Sequence, residues 1–206
     1  MSRISKPIAA VFLLATLLAT GCATSKPARF YVLSALTASA SQPAPDGPAI
    51  GVGPVIIPQY LDRPEIVTRS QGNRLELGEF DQWGGRIGDN IVRVMADNLA
   101  GLLATERVSI YPWSDGSAIT DQITVDVLQF ERGADGNVTL TAFWSIGDMQ
   151  SGKTAMQRRS TIVKPVVAGT GGKNGTPYDA TVAAMSEALA DLSKQIAEAI
   201  KSLPAG

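Results

Sequence analysis

Residues 147–154, "GDMQSGKT", match the phosphate-binding pattern G-x-x-x-x-G-K-[ST] at every specified position. That pattern works by curling backbone N–H groups around phosphates, with Lys reaching the terminal ones and Ser/Thr holding Mg²⁺. It needs a strand before the loop and a helix after it. Here Lys153-Thr154 run into "AMQRRSTIVKPVV", which is β-branched toward its end, closed by Pro165 and without an apolar helical period. Asp148 would also bring negative charge into the cradle. Chance produces the pattern about once in a hundred chains of this composition. We therefore read Gly147–Gly152 as a hairpin loop, Gly147–Thr154 as an accidental match, and expect no nucleotide.

Cys22 is the other residue with chemistry to offer, and it is the only cysteine, so no internal disulfide is possible. It stands at the end of a three-part leader: a basic start (Arg3, Lys6), an apolar run from Ile8 to Thr20, and Gly21-Cys22. Thirteen apolar residues reach roughly 20 Å as a helix, short of a roughly 30 Å hydrocarbon core, so a secretory signal over residues 1–21 fits better than a span. The stretch "LLATGC" resembles a bacterial lipobox, with Ala19 where Leu is usual. Ala19-Thr20-Gly21 also satisfies the small-x-small rule for ordinary cleavage at the same bond. A free thiol at a new N-terminus is an odd thing for an exported protein to keep, which favours lipidation of Cys22. Two or more acyl chains hold stably to a membrane where one does not. Ala23, rather than Asp, resembles the pattern sorted onward to the outer membrane.

What remains excludes several function classes. The leader carries two cations and no acid, so its removal takes the net charge from −1 to −3. There is no basic face of the kind nucleic acid requires. There is no histidine, which removes His-based triads and His-ligated metal sites. Asp115, Asp121 and Asp126 come with no base, nucleophile or ligand partner, so neither a catalytic centre nor a metal site is expected, and no cofactor beyond the covalent lipid.

The elements behind these residues follow from periodicity. Residues 22–28 form a short tether, and 29–206 a single domain interrupted by a Pro/Ala/Ser loop at 37–48. Strands are predicted at Arg29–Leu36, Ala49–Pro58 (Pro54 marking an edge or a bulge), on both sides of Gln71-Gly72, at Arg107–Trp113, and at Gln122–Val127 with a parity shift at Leu128 and Phe130. A further strand, Val138–Ile146, points Val138, Leu140, Ala142, Trp144 and Ile146 one way. Ile87, Ile91, Met95, Leu99, Leu102 and Leu103 trace one helix face. Val182, Met185, Leu189, Leu192, Ile196 and Ile200 trace another, opened by the capping box Thr176-Pro177-Tyr178-Asp179. The expected fold is α+β: a mixed or antiparallel sheet of six to eight strands with two amphipathic helices on one face.

Several motifs line up with a family. "RFYVL" after the lipid Cys and "IGVGPVIIPQYLDRPEIVTRSQGNRLELGEFDQWGGRIGDNIVRVMADNL" resemble the auxiliary lipoproteins of ABC-type transporters, the PqiC/YmbA-like group. The matching positions are Pro58, Tyr60-Leu61-Asp62-Arg63-Pro64, Ile66-Val67, Arg69, Trp83 and Asn98-Leu99. "ITVDVLQFERGADGNVTLTAFWSI" resembles the family's central hairpin and "YDATVAAMSEALADLSKQIAEAI" its closing helix. "WGGRIGD" departs from it, since many members carry an acid or Pro after Trp. The resemblance implies a non-enzymatic component on the periplasmic face of the outer membrane. It would assist an MCE-domain protein of an ABC-type lipid transport system that maintains envelope integrity. An independent carrier of lipid or lipoproteins is the alternative. A homo-oligomeric ring would suit a channel-like partner.

Tyr60, Leu61, Arg63 and Trp83 are the candidate partner- or lipid-facing residues, because aromatics and Arg commonly anchor interfaces. The structural alternative is a rigid turn packed by its own Tyr, with Trp83 plugging the joint between sheet and helix. Trp144 is expected in the core. Phe143 points the other way, either covered or free to bind. Trp113 is a loop anchor or edge packing. Lys153, Arg158 and Arg159 form either a headgroup-binding cluster or a solvated strand end.

Overall fold

The computed structural model describes residues 26–37, 47–167, 169 and 176–203. The leader, Cys22 and most of the 37–48 loop lie outside the described residues. Eight strands and two helices follow in the order β1 (Arg29–Tyr31), β2 (Ile50–Ile56), β3 (Glu65–Arg69), β4 (Leu75–Trp83), α1 (Ile87–Leu103), β5 (Val108–Ile110), β6 (Asp121–Arg132), β7 (Asn137–Asp148), β8 (Thr154–Pro165) and α2 (Pro177–Ser202). The fold is α+β, with a mixed sheet curled into a half-barrel around the helices.

β6 is the spine of the sheet. Along one edge it pairs antiparallel with β7, which pairs antiparallel with β8. Its other edge is shared, taking β2 in parallel from Ile50↔Asp121 to Ile56↔Asp126, then β3 at Thr68↔Arg132. β4 continues from β3 antiparallel, β1 lies parallel on β4, and β5 parallel on β2. Burial follows the sequence periods. Ile123, Val125, Val127, Val138, Leu140, Ala142, Trp144 and Ile146 turn inward and are almost fully buried. They meet Ile87, Ile91, Met95 and Leu99 of α1 and Met185, Leu189, Leu192 and Ile196 of α2. Each fully buried aliphatic side chain contributes about 1.5–3 kcal/mol. α2 opens on the expected box: Thr176 accepts from the Tyr178 N–H, and Asp179 accepts from the Thr176 N–H.

Two strands are much shorter than the sequence predicts, and two irregularities fall where it put them. The strand expected over Arg29–Leu36 stops at Tyr31. Beyond it the Leu33 and Leu36 N–H groups donate to Asn90 Oδ1 (2.6 Å) and Asn98 Oδ1 (2.7 Å) of α1, so the chain follows the helix instead of the sheet. Pro54 marks a bulge, not a bare edge: β2 lies between β5 and β6, and its register shifts between Val52 and Val55. The strand expected over Arg107–Trp113 shrinks to Val108–Ile110, ahead of a cis bond to Pro112. The parity shift near Leu128 is a bulge between Val127 and Gln129.

Candidate partner- and lipid-facing site

The turn after β2 carries three of the four candidate residues. It is tied by Leu61 N–H to Pro58 O (2.9 Å), Asp62 N–H to Gln59 O (3.2 Å) and Arg63 N–H to Leu61 O (2.8 Å). These bonds send consecutive side chains in different directions. Tyr60 reaches inward and donates its hydroxyl to Glu131 Oε2 at 2.8 Å. Leu61 is 4% exposed and belongs to the core. Arg63 turns out to solvent, its Nε donating to Glu65 at 2.9 Å. Trp83, at the end of β4, is 5% exposed and donates its backbone N–H to Pro64 O at 2.7 Å. Leu61 and Trp83 are thus buried, Tyr60 is partly buried against the core, and Arg63 is exposed.

The residue that organises Tyr60 is Glu131, which sequence reasoning passed over. It is fully buried, and its carboxylate accepts from Tyr60 Oη, from Arg69 Nε (2.8 Å), from Gln129 Nε2 (3.2 Å) and from the Phe130 N–H (3.1 Å). A buried carboxylate needs this many donors to offset lost hydration. Burial, reinforced by Glu131, pushes the Tyr60 hydroxyl up to about 12, while Glu131 also raises Arg69. No local pattern marks it, since of Gln129, Phe130 and Arg132 around it only Phe130 is apolar. A second cluster repeats the chemistry at Asp81: Arg29 donates from Nε and Nη2, each at 2.7 Å, and Tyr31 donates at 2.8 Å. Tyr31 Oη also lies 3.0 Å from Thr176 Oγ1 at the start of α2. Burial raises the Asp81 carboxyl, but the bonds from Arg29 and Tyr31 together outweigh it and hold it below its ordinary value.

Around Trp83 the surface opens into a recess of about 640 Å³, lined by Phe30, Asp62, Arg63, Pro64, Gly84 and Arg86, among others. Arg86 Nη2 stands 3.3 Å from Asp62. A Cβ on Gly84 would come within 3.2 Å of Val32 Cγ1, so the glycine eases the close approach of the two segments there.

The remaining candidates separate. Residues 148–153 form the β7–β8 turn: Asp148 Oδ1 accepts from the Gln150 and Ser151 N–H groups, and Gly152 N–H donates to Asp148 O. Those amides therefore point at Asp148, and Thr154 opens a strand rather than a helix. Trp113 lies against Gly51, whose added Cβ would meet its ring at 2.9 Å, and stacks edge-on with Tyr111. This is edge packing. Phe143 is 41% exposed, with Arg159 at 5.6 Å from its ring. Arg158 and Arg159 are strand neighbours and project to opposite faces, so with Lys153 they do not converge. Asp115 accepts from Ser117 N–H in a loop, whereas Asp121 and Asp126 lie at the start and middle of β6. Among the described residues, no group of three His, Cys, Asp or Glu is placed to hold a metal ion.

Comparison of the sequence with curated proteins returned no match. Among solved structures, the chain is similar to an uncharacterized protein (TM-score 0.67, 18% identity, 85% of this chain and 99% of that one). It is also similar to protein XCC0632 from Xanthomonas campestris, of family DUF330 (TM-score 0.63, 16% identity, 82% and 93%). At those identities the likeness is one of fold. The family model described as "ABC-type transport auxiliary lipoprotein component" matches residues 31–197, spanning the strands and helices around both carboxylate clusters. The chain belongs to the family of ABC-type transport auxiliary lipoproteins.

Proposed function

We propose that this chain is a non-enzymatic auxiliary subunit of an MCE-domain lipid transporter driven by an ABC-type ATPase, anchored through acylated Cys22 on the periplasmic face of the outer membrane. The family match over residues 31–197 carries this reading, since it supplies both the transporter and the lipoprotein character. The polar clusters agree with a scaffolding role. Glu131 and Asp81 spend their oxygens on Arg, Tyr and backbone partners within the fold, leaving neither poised as a base. In this reading the acyl chains hold the domain at the membrane while its surface positions the transporter's envelope-spanning part. Lipid then avoids crossing water, where each exposed CH₂ costs about 0.8 kcal/mol.

The test is cross-linking of the tagged protein in intact cells. Leu61 and Trp83 are buried and Tyr60 is partly buried and bonded to Glu131, so changes there would act through the fold, and a contact must be sought with cross-linkers at exposed positions. Recovery of an MCE-domain protein supports the reading. Recovery of lipid or other lipoproteins, with no transporter subunit, would replace it by that of an independent carrier.

A further inference from the structure

β1 has two unlike sides. Arg29 and Tyr31 face inward, fixed on Asp81. Phe30 and, just past the end of β1, Val32 face outward and are 67% and 60% exposed. Both lie beside the Trp83 recess: Phe30 lines it, and Val32 packs over Gly84. The nearby charges are of mixed sign, Arg63 with Glu65 and Arg86 with Asp62. Two apolar side chains beside paired charges of both signs match the headgroup zone of a bilayer, where zwitterionic groups overlie the first methylenes.

Position points the same way. The described chain begins at Lys26, four residues after Cys22, and four extended residues reach at most about 14 Å. Phe30 is eight residues from Cys22, at most about 28 Å. The bidentate Arg29–Asp81 pair and the Tyr31 bond prevent β1 from swinging freely on this short tether.

We infer that Phe30 of β1 and the adjoining Val32, with the Trp83 recess, lie against the headgroup zone of the bilayer that anchors the chain. The inference rests on the reading of Cys22 as acylated. It gives the domain a second attachment and therefore one orientation, with Phe30 and Val32 at the membrane surface. An acyl anchor alone would leave the domain free to tumble.

Gly85 gives a clean probe position: it is exposed, and a Cβ there meets nothing within 4 Å. The mature protein, purified with its acyl groups, is placed in vesicles of phosphatidylethanolamine and phosphatidylglycerol. Mass spectrometry of its N-terminal peptide reads acylation first. An environment-sensitive dye is then attached at Gly85→Cys or, for comparison, at Gln150→Cys in the β7–β8 turn, with nitroxide lipids as quenchers. Acylated Cys22 offers no competing thiol. Quenching at position 85 is expected to exceed that at 150 by about threefold or more, and Phe30→Ser with Val32→Ser is expected to collapse the difference while the acylated protein stays with the vesicles. Equal quenching at the two positions in acylated protein overturns the inference. So does a dye at position 85 that ignores lipid and responds only to an added transporter domain. An unmodified Cys22 overturns it too, and the peptide mass shows that the anchor reading failed with it.

Discussion

The Asp81 and Glu131 clusters use the same three groups, a carboxylate, an arginine and a tyrosine hydroxyl, in unlike places. Glu131 sits in the middle strand, fully buried, and joins β6 to β3 and to the turn after β2. Asp81 sits near the sheet edge, 4% exposed, and joins β1 to β4 and to the start of α2. Glu131 meets its arginine through one N–H and adds Gln129 and a backbone amide, whereas Asp81 takes a two-pronged fork. The first cluster holds the centre of the sheet together. The second fastens the strand nearest the tether. The same chemistry thus serves global stability in one place and the attachment of an edge in the other.

The sharpest way to break this contrast is to remove one arginine. Arg69→Ala leaves the buried Glu131 carboxylate short of its cation and is expected to cost about 3 kcal/mol, read as a lower urea midpoint. Asp81→Asn should cost about 1–2 kcal/mol, with the loss concentrated in hydrogen-exchange protection of residues 29–31. A uniform loss across the sheet would erase the distinction. Because the folded Asp81 carboxyl is held below its ordinary value, its stabilisation is present above about pH 4 and fades as pH falls through the folded value. The gap between wild type and Asp81→Asn should therefore close in acid.

Tyr60→Phe removes one of four donors to Glu131 and should cost about 1 kcal/mol. Its pH signature is opposite in sense. With Tyr60 raised to about 12 against an unfolded value of about 10, the native state keeps its proton while the unfolded state loses it, so stability falls between those values. Phe should abolish that share of the alkaline loss, measured by denaturation between pH 9 and 12 at about one-unit steps. The smallest effect is expected on the outer side of β1. Phe30→Ser should change stability by no more than about 0.5 kcal/mol, since the ring is already exposed. A larger loss would mean that Phe30 is part of the core.

The Trp83 region shows how a motif reads differently in sequence and in space. "YLDRP" and Trp83 announce a special segment by residue type, yet Tyr60 and Trp83 are packed while Phe30 and Val32, read as ordinary strand residues, are the exposed pair. Residue type sets what a side chain can do. Direction depends on whether the turn's own amides close as they do at Pro58 and Leu61.

The sequence by itself determined the two helices, the capping box, the β7–β8 hairpin, the bulge after Val127 and the inward row from Val138 to Ile146. Each is a local pattern, repeating every two or 3.6 residues or carried by a few adjacent side chains. Only the tertiary structure decided which strand lies beside which, that Asn90 and Asn98 draw residues 32–36 off the sheet, and that Glu131 and Asp81 each gather an arginine and a tyrosine. The partners there are 50 to 71 residues apart. Periodicity tells a residue to be buried, but the donor that compensates a buried charge is chosen only when distant strands are brought into register.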